Sequence, residues 1–223
     1  MFVLNRLPPS IDPELLALLA RAEPATIGHF LEFGFVDPAI RALWQLPRIA
    51  GTAVTLRCAG TDSTIVHYAL GQLRPGDILL IDRAGDHRHA PVGGGVAFAA
   101  REAGCRGIVI DGVATDIAEI RDYKMPVWAR GLSAITTKRT FEQGEFCIPI
   151  SIGGVPIHPG DAILADENGI LAVNPATIAA IAPRAIDMQA AEAPRLAQVA
   201  KGARLSDLNG TTAKLLELMK TQK

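Results

Sequence analysis

Two short runs of consecutive apolar residues constrain the fold of this 223-residue chain more than any other feature. They are Ile78-Leu-Leu-Ile81 and the Ile108-Val-Ile110 run within Gly107-Ile-Val-Ile-Asp111, and both are continuously apolar rather than alternating. Runs of this kind are typical of strands that are buried on both faces, as in a parallel sheet covered by two layers. They therefore predict an α/β protein built on a buried central sheet.

Helical and strand-like segments alternate around these two runs. Gly51–Cys58 alternates and is rich in β-branched residues, which predicts a further strand. Helical spacing predicts helices over 63–73 and 96–103, and a short helix that begins near Asp116. More strands are predicted at 127–129, 146–152, 161–165 and 170–173, with Asp166–Gly169 as the hairpin turn between the last two.

Helical patterns frame this core at both ends of the chain. Residues 11–34 are predicted to form two short helices, because Pro24 interrupts the run and proline breaks a helix interior. The pattern over 175–221 is also helical. Because the later strands follow one another without helices, we expect an α/β core over about 45–175 with an antiparallel addition. The whole chain, 1–223, is expected to form a single domain.

Composition and charge exclude several classes of protein. Apolar residues make up 49% of the chain and charged residues 20%, which is typical of a folded globular protein. With a net charge of -1, the chain lacks the broad basic field that nucleic-acid binding needs. No apolar run is long enough for a transmembrane helix, and the N-terminus lacks the pattern of a signal peptide. Cys58, Cys105 and Cys147 form no CxxC, so we expect reduced thiols and a cytoplasmic protein. From the charge and the hydropathy together we expect neither a membrane nor a nucleic acid as a partner.

The first candidate site is Gly93-Gly94-Gly95, which opens a predicted helix. Glycines at this place let the backbone approach a ligand and leave helix N–H groups free, which suits a carboxylate or a phosphate. A plain tight turn before a helix is an equally good interpretation of the glycines alone.

The second candidate site is Asp116. Asp111 ends a buried strand and Thr115-Asp116 opens the next helix, and ligands in α/β folds collect at the carboxyl ends of strands. Asp116 followed by Glu119 also fits a variant of the capping box, which needs no ligand. The two interpretations are compatible, because a cap in a strand-to-helix loop can also face a cleft.

Asp86-His87-Arg88-His89 is the one dense polar cluster in the sequence. In an extended segment His87 and His89 would share a face, as pairs of metal ligands often do. The alternative is a solvated surface loop, which is the commoner role of such a segment. The cluster lies just before Gly93, so its polar groups are candidates for the same pocket.

The order of several motifs resembles that of a known family. The motifs are His67-Tyr-Ala-Leu, Pro75-Gly-Asp, Gly93-Gly-Gly-Val, Gly104-Cys-Arg-Gly-Ile-Val-Ile-Asp-Gly112, Asp116, Pro126-Val-Trp-Ala-Arg, Pro159-Gly-Asp and Ala165-Asp-Glu-Asn-Gly169. Over about residues 45–175 the chain resembles the family of 4-hydroxy-4-methyl-2-oxoglutarate aldolase and RraA, the regulator of ribonuclease activity A. The resemblance implies a layered ββα sandwich related to swivelling domains, with flanking N- and C-terminal helices. It also implies homotrimers or hexamers with active sites at the subunit interfaces.

The resemblance carries specific expectations for the site. In the aldolases, a Gly-acid-x-Leu segment presents N–H groups to a pyruvate-like carboxylate, and an Arg-Asp pair follows that glycine by 22 and 23 residues. The matching substrate-binding residues here are Gly93, Gly94, Gly95, Val96 and Thr115, and the matching catalytic metal ligand for Mg²⁺ or Mn²⁺ is Asp116. Two positions depart from the pattern: Gly94 replaces an acid that holds water on the metal, and Thr115 replaces the arginine.

The function implied by this resemblance is a metal-dependent lyase that cleaves a small 2-oxo acid, by retro-aldol reaction or decarboxylation, and releases pyruvate. One alternative is a non-catalytic regulatory or binding protein of the RraA kind. Another is a family member whose substrate has changed with the two lost side chains. The candidates to replace the missing arginine are Arg83, Arg88, Arg130, Lys138 and Arg139.

Overall fold

A mixed sheet of nine strands forms the centre of the computed structural model, which describes residues 1–221. An additional two-stranded hairpin, β8–β9, lies outside this sheet. The strands are β1 (Phe2–Leu4), β2 (Arg41–Ala42), β3 (Ile49–Arg57), β4 (Asp77–Asp82), β5 (Gly107–Ala114), β6 (Val127–Leu132), β7 (Gly144–Phe146), β8 (Ile150–Ile152), β9 (Val155–Ile157), β10 (Ala162–Asp166) and β11 (Gly169–Val173).

Helices lie between the central strands and at both ends of the chain. They are α1 (Pro13–Leu19), α2 (Pro24–Ile27), α3 (Thr64–Leu70), α4 (Gly94–Glu102), α5 (Ile117–Asp122), α6 (Ile178–Ala200), α7 (Leu205–Leu208) and α8 (Thr211–Thr221), with a 3-10 turn over Pro175–Thr177 before α6. None of the helices within residues 1–221 combines the length and the apolar character needed to span a bilayer.

Four parallel strands, β3, β4, β5 and β6, form the middle of the sheet, which confirms the core expected from the apolar runs. The edge of β3 that faces away from β4 is shared by two antiparallel partners. β10 pairs with its first half, with Thr52 opposite Ala162, and β7 pairs with its end, with Leu56 opposite Phe146. The carboxyl ends of β4 and β5 therefore reach the same edge of the sheet, where the candidate site residues follow them.

Three apolar clusters hold the layers together. α3, α4 and α5 cover one face of the sheet, where Val66, Ala97 and Ile120 pack against β4 and β5. The β8–β9 hairpin covers the other face around the buried Trp128. The terminal helices α1, α2 and α6 pack on β10 and β11. This is the mixed α/β architecture with flanking helices that the sequence predicted.

Two predicted boundaries are wrong. The helical run over 11–34 ends early, because α2 stops at Ile27 and no further helix forms before residue 34. The strand predicted over 146–152 is two strands, since Cys147 has a left-handed backbone with φ of 52° that interrupts the extended chain. Strands β1, β2 and β9 have only two or three residues each and were not predicted.

The three cysteines are buried and unpaired within the described chain, as the absence of a CxxC motif predicted. Burial raises the pKa of Cys58, Cys105 and Cys147 to about 11 in each case. All three thiols are therefore protonated at neutral pH.

The buried carboxylate of Asp62 anchors the loop that precedes β7 to the start of α3. Its Oδ1 accepts hydrogen bonds from Thr64 N and Oγ1 at 2.9 and 2.6 Å. Its Oδ2 accepts from the backbone of Glu142 at 2.7 Å and of Gln143 at 3.1 Å. Burial by itself would raise the pKa of Asp62, but the bonds from Thr64, Glu142 and Gln143 outweigh it and lower the pKa.

We expect Asp62→Asn to lower the free energy of unfolding by about 2 kcal/mol at pH 7, because the new amide would point a donor at two backbone donors. A lowered folded-state pKa stabilises the protein above the ordinary carboxyl pKa, and this contribution is lost as the pH falls below about 4. The difference between variant and wild type should therefore shrink from pH 7 to pH 3 in urea unfolding. A difference that does not change with pH would contradict this account.

Candidate functional site

Asp116 lies in the short connection between β5 and α5. Its backbone is left-handed, with φ of 53° and ψ of 43°, a conformation that costs free energy for most residues and clusters at functional sites. Its side chain does not cap α5. Instead, Oδ2 accepts a hydrogen bond from the N–H of Gly94 at 3.0 Å, and Oδ1 accepts one from Thr115 Oγ1 at 3.2 Å. The capping interpretation is therefore wrong for α5: the carboxylate faces the glycine segment at the start of α4.

The glycine segment forms the N-terminus of α4, which begins at Gly94 after an extended Gly93. The backbone must come close here, because a Cβ on Gly93 would lie 2.4 Å from Asp116 Oδ2. Within residues 1–221, the N–H groups of Gly95 and Val96 have no acceptor. Free N–H groups at a helix N-terminus attract anions, and here they lie beside Asp116.

Glu119 is a second acidic residue at this site, and the sequence suggested only a capping role for it. A Cβ on Gly94 would lie 1.6 Å from Glu119 Oε2 and 2.7 Å from Glu119 Cδ. The Glu119 carboxylate therefore occupies the space of a side chain at position 94. Glu119 follows Asp116 by one helical turn, but only the packing of α4 against α5 shows which residue it meets.

An open hollow of about 240 Å³ adjoins Asp116. It is lined by Thr115, Asp116, Ile117, Leu132, Ser133 and Ala134, which come from the ends of β5 and β6 and the start of α5. Asp116 and Glu119 are both exposed to solvent. A small ligand in this hollow can therefore reach Asp116 without any movement of the backbone.

Two of the candidate replacements for the missing arginine are engaged elsewhere. Arg83 is fully buried; its guanidinium donates to the carbonyl oxygens of Cys58 and Gly60 and pairs with Asp86. Arg130 Nε donates to Asp111 Oδ1 at 2.6 Å. Its Nη1 donates to an oxygen of Asp37 at 3.2 Å.

The other three candidates lie in exposed loops. The carbonyl of Lys138 accepts a hydrogen bond from Ser63 N, next to the start of α3. Burial and the charge of Arg139 both lower the pKa of His67 on α3, so Arg139 also belongs to that end of the helix. The carbonyl of Arg88 accepts from Ser133 Oγ at 2.6 Å, and Ser133 lines the hollow. Arg88 is thus the candidate whose backbone, rather than its guanidinium, contacts a residue that lines the hollow.

The Asp86–His89 cluster is a folded surface loop rather than an extended segment. Asp86 Oδ1 accepts from the backbone of Arg88 and His89, and Oδ2 pairs with His89 Nδ1 at 2.8 Å. Burial raises the pKa of Asp86, but these bonds outweigh it and bring the pKa to about 2. His87 Nε2 lies 3.8 Å from Asp111, so the two imidazoles face different carboxylates. No three His, Cys, Asp or Glu side chains within residues 1–221 are grouped as a metal site.

A larger cavity, of about 520 Å³, lies away from these residues. It is formed by α2, the segment that follows it and the start of β11, and its walls are mostly apolar, including Leu31, Phe35 and Ile170. It contains none of the predicted site residues, whereas Thr115 and Asp116 line the smaller hollow.

Comparison with known families identifies the class of protein. Residues 28–172 match the RraA-like family, described as Aldolase/RraA, and the chain belongs to that family. This confirms the resemblance found in the sequence. The crystal structure of RraAS2 from Streptomyces coelicolor has a TM-score of 0.73 at 25% identity, covering 83% of this chain and 98% of that one. RraAS2 is described as an unusual member of the RNase ES inhibitor RraA protein family.

Relatives with similar sequences carry the name of one enzyme. A 4-hydroxy-4-methyl-2-oxoglutarate aldolase from Thermus thermophilus is 36% identical over 125 residues, which are 56% of this chain and 74% of that protein. A Halalkalibacterium halodurans protein that carries this name provisionally is 35% identical over 134 residues. That match covers 60% of this chain and 63% of the relative, less than two thirds of its length.

Proposed function

We propose that this protein is a lyase that cleaves small 2-oxo acids and releases pyruvate, with Mg²⁺ or Mn²⁺ held by Asp116. The observation that carries the proposal is the pairing of the Asp116 carboxylate with the N-terminus of α4, where Gly95 and Val96 offer free N–H groups. Names of relatives such as the Thermus thermophilus aldolase support the same reaction class.

The donor set of the site fits such a cation. Asp116 makes no ion pair within residues 1–221, and each of its oxygens accepts one hydrogen bond and keeps a further lone pair. Mg²⁺ is usually bound through one or two carboxylates, and its other positions are filled by water and substrate. The open hollow beside Asp116 has room for those additional ligands.

The chain's own groups would bind and orient the substrate. The N–H groups of Gly95 and Val96 would donate to the substrate carboxylate, aided by the positive end of the helix dipole. Asp116 would hold the cation, which when bound acts as a Lewis acid toward the negative charge that develops at the 2-oxo group. In the retro-aldol reaction the C4 hydroxyl loses its proton and C4 leaves as a carbonyl compound, whereas in decarboxylation the C4 carboxylate leaves as CO₂. In both reactions the electron pair of the broken C3–C4 bond stays with C3 and the 2-oxo group, and a proton then adds to C3 to give pyruvate.

Thr115 limits what the site can do without help. Its hydroxyl donates to Asp116 Oδ1, so it orients the carboxylate, but it cannot grip a carboxylate bidentately or neutralise charge as arginine does. The protein therefore either uses a cation from elsewhere or acts on a substrate that carries less negative charge near Thr115. Arg88 is the candidate for that cation, because its backbone contacts Ser133 in the wall of the hollow.

We also propose that the site is completed at an interface between copies of this chain, each folded as one domain. Leu132, which lines the hollow, is 52% exposed, and Phe98 on α4 is 43% exposed. Exposed large apolar side chains beside a polar site are a common mark of a protein–protein interface. A trimer or hexamer in sedimentation experiments, with Leu132→Glu shifting it toward monomer, is the expected result.

The test of the reaction is a coupled assay with lactate dehydrogenase, offering oxaloacetate and 4-hydroxy-4-methyl-2-oxoglutarate in turn. We expect NADH oxidation that requires both the protein and Mg²⁺ or Mn²⁺ and stops when EDTA is added. Reactions with metal but without protein are the essential blank, because free cations decarboxylate oxaloacetate. If neither substrate gives pyruvate above that blank, the alternative of a non-catalytic regulatory or binding protein takes precedence.

A further inference from the structure

The C-terminal helix α8 presents an apolar face to solvent. Leu215, Leu218 and Met219 recur at positions i, i+3 and i+4 of the helix and are 57%, 46% and 63% exposed. No residue of α8 is buried, and within residues 1–221 its hydrogen bonds and ion pairs reach no residue before 209. A helix of 11 residues is marginal in water by itself, so α8 needs a surface against which it can pack.

The cavity of about 520 Å³ beside α2 is an apolar groove that suits such a helix. Leu31, Phe35 and Ile170 line it, and no residue of α6, α7 or α8 contributes to its walls. An amphipathic helix commonly binds in a groove of this kind through apolar residues at i, i+3 and i+4. The α8 helix carries that spacing, but it does not lie on the groove of its own chain.

The charges beside the two surfaces have opposite signs. Glu32 lines the groove, and Glu167 belongs to the turn between β10 and β11 that forms part of its wall. Neither carboxylate makes an ion pair in the part of the chain that the structure describes. The α8 helix carries Lys214 and Lys220, and Lys214 pairs only with Glu217 of its own helix, at 3.1 Å. Opposite charges at the rim of an interface favour encounter and fix the orientation of the partners.

We propose that α8 of one copy of this chain docks into the groove beside α2 of a second copy. A second copy is the partner that these observations favour, because one molecule carries both the apolar helix and a groove of matching spacing and opposite charge. Reciprocal docking covers both helices and both grooves of a pair, as in a twofold interface. The docking does not depend on the proposed lyase activity, since neither surface includes a residue of the hollow beside Asp116.

Disulfide trapping between two single-cysteine variants of the full chain tests this docking. The native thiols are buried, so Ala25→Cys places an accessible thiol in the wall of the groove and Met219→Cys places one on α8. In a mixture of the two variants, a disulfide between positions 25 and 219 joins different chains, and mass spectrometry identifies it. Glu217→Cys lies on the opposite side of α8 and is the matched control, which should cross-link at least about 10-fold more slowly because a disulfide needs close Cα atoms.

A charge in the apolar stripe separates docking from chance collision. Adding Leu215→Glu to the Met219→Cys chain should slow cross-linking about 10-fold or more, because the new carboxylate would be buried in an apolar groove. Leu196→Glu makes the same change at an exposed leucine of α6 and should leave the rate within about 2-fold.

Exchange of the rim charges tests the docking while the apolar stripe stays intact, which matters if Leu215→Glu unfolds α8. Glu32→Lys with Glu167→Lys in the groove chain should slow cross-linking about 5-fold, as expected for the loss of exposed ion pairs. Lys214→Glu with Lys220→Glu in the helix chain should then restore the rate. Failure of the second exchange to restore it would overturn the assigned charge pairing.

The remaining outcomes decide between the possible partners of α8. Equal cross-linking rates for Met219→Cys and Glu217→Cys would overturn the docking. A chain that carries both Ala25→Cys and Met219→Cys and cross-links only within itself, with no trapping in the mixture, would show that α8 binds its own groove. Binding to phosphatidylcholine–phosphatidylglycerol vesicles that Leu215→Glu abolishes, again without trapping in the mixture, would assign α8 to a lipid surface and overturn the proposal.

Discussion

Asp116→Ala is expected to reduce metal-dependent pyruvate release at least 100-fold. The carboxylate is the proposed anchor of the cation, and no group of three His, Cys, Asp or Glu side chains within residues 1–221 offers a substitute. Loss of a charge-stabilising group at a reacting centre typically costs a factor of about 100 to 1,000 in kcat. The measurement is the initial rate in the lactate dehydrogenase assay at saturating Mg²⁺.

Asp116→Asn tests the role of the negative charge apart from the role of the left-handed backbone. Asn tolerates the left-handed conformation at φ of 53° nearly as well as Asp, so this variant keeps the local fold and one acceptor for Gly94 N. We expect it to lose activity almost as completely as Asp116→Ala, while its melting temperature stays near that of wild type. Full activity in the Asn variant would remove Asp116 from the role of metal ligand.

Thr115→Arg is expected to increase pyruvate release about 100-fold, the opposite of a typical site mutation. The hollow beside Thr115 has room for a longer side chain, and a guanidinium there would meet the charge that develops at the 2-oxo group. The gain should appear in kcat more than in KM, because that charge is larger in the transition state than in the substrate.

Two other substitutions control this experiment. Thr115→Lys supplies the positive charge without the planar, bidentate guanidinium and should give a smaller gain. Thr115→Val supplies neither and should give no gain. A fall in activity with Thr115→Arg would show that another cation, such as Arg88, already fills this role. Arg88→Ala, which leaves the backbone bond to Ser133 intact, would then be the variant that loses activity.

The central sheet could be predicted from sequence because its strands are coded locally. β4 and β5 are continuous apolar runs whose burial on both faces requires no knowledge of their partners. Strands such as β2 could not be predicted, because two residues carry no periodicity and pair only through the strand they meet. The break at Cys147 depends on a left-handed backbone that its residue type does not signal.

The candidate site was predictable in part, but for a different reason. The pairing of the glycine segment with Asp116 was expected from the family's spacing, and the structure brings Gly94 N and Asp116 Oδ2 to 3.0 Å. The position of Glu119 was not predictable, since it depends on how α4 and α5 pack rather than on either sequence alone. Nor could the sequence show that Arg130, unlike Arg88, is paired with Asp111.

The three buried thiols have a practical consequence. Because Cys58, Cys105 and Cys147 are shielded and protonated, alkylating reagents should leave the native protein unlabelled while they modify the unfolded chain. A single cysteine introduced at a surface position near the hollow could therefore carry a spin label or fluorophore without removal of the natural ones. The rate at which the native thiols become labelled would in turn report how often the interior opens.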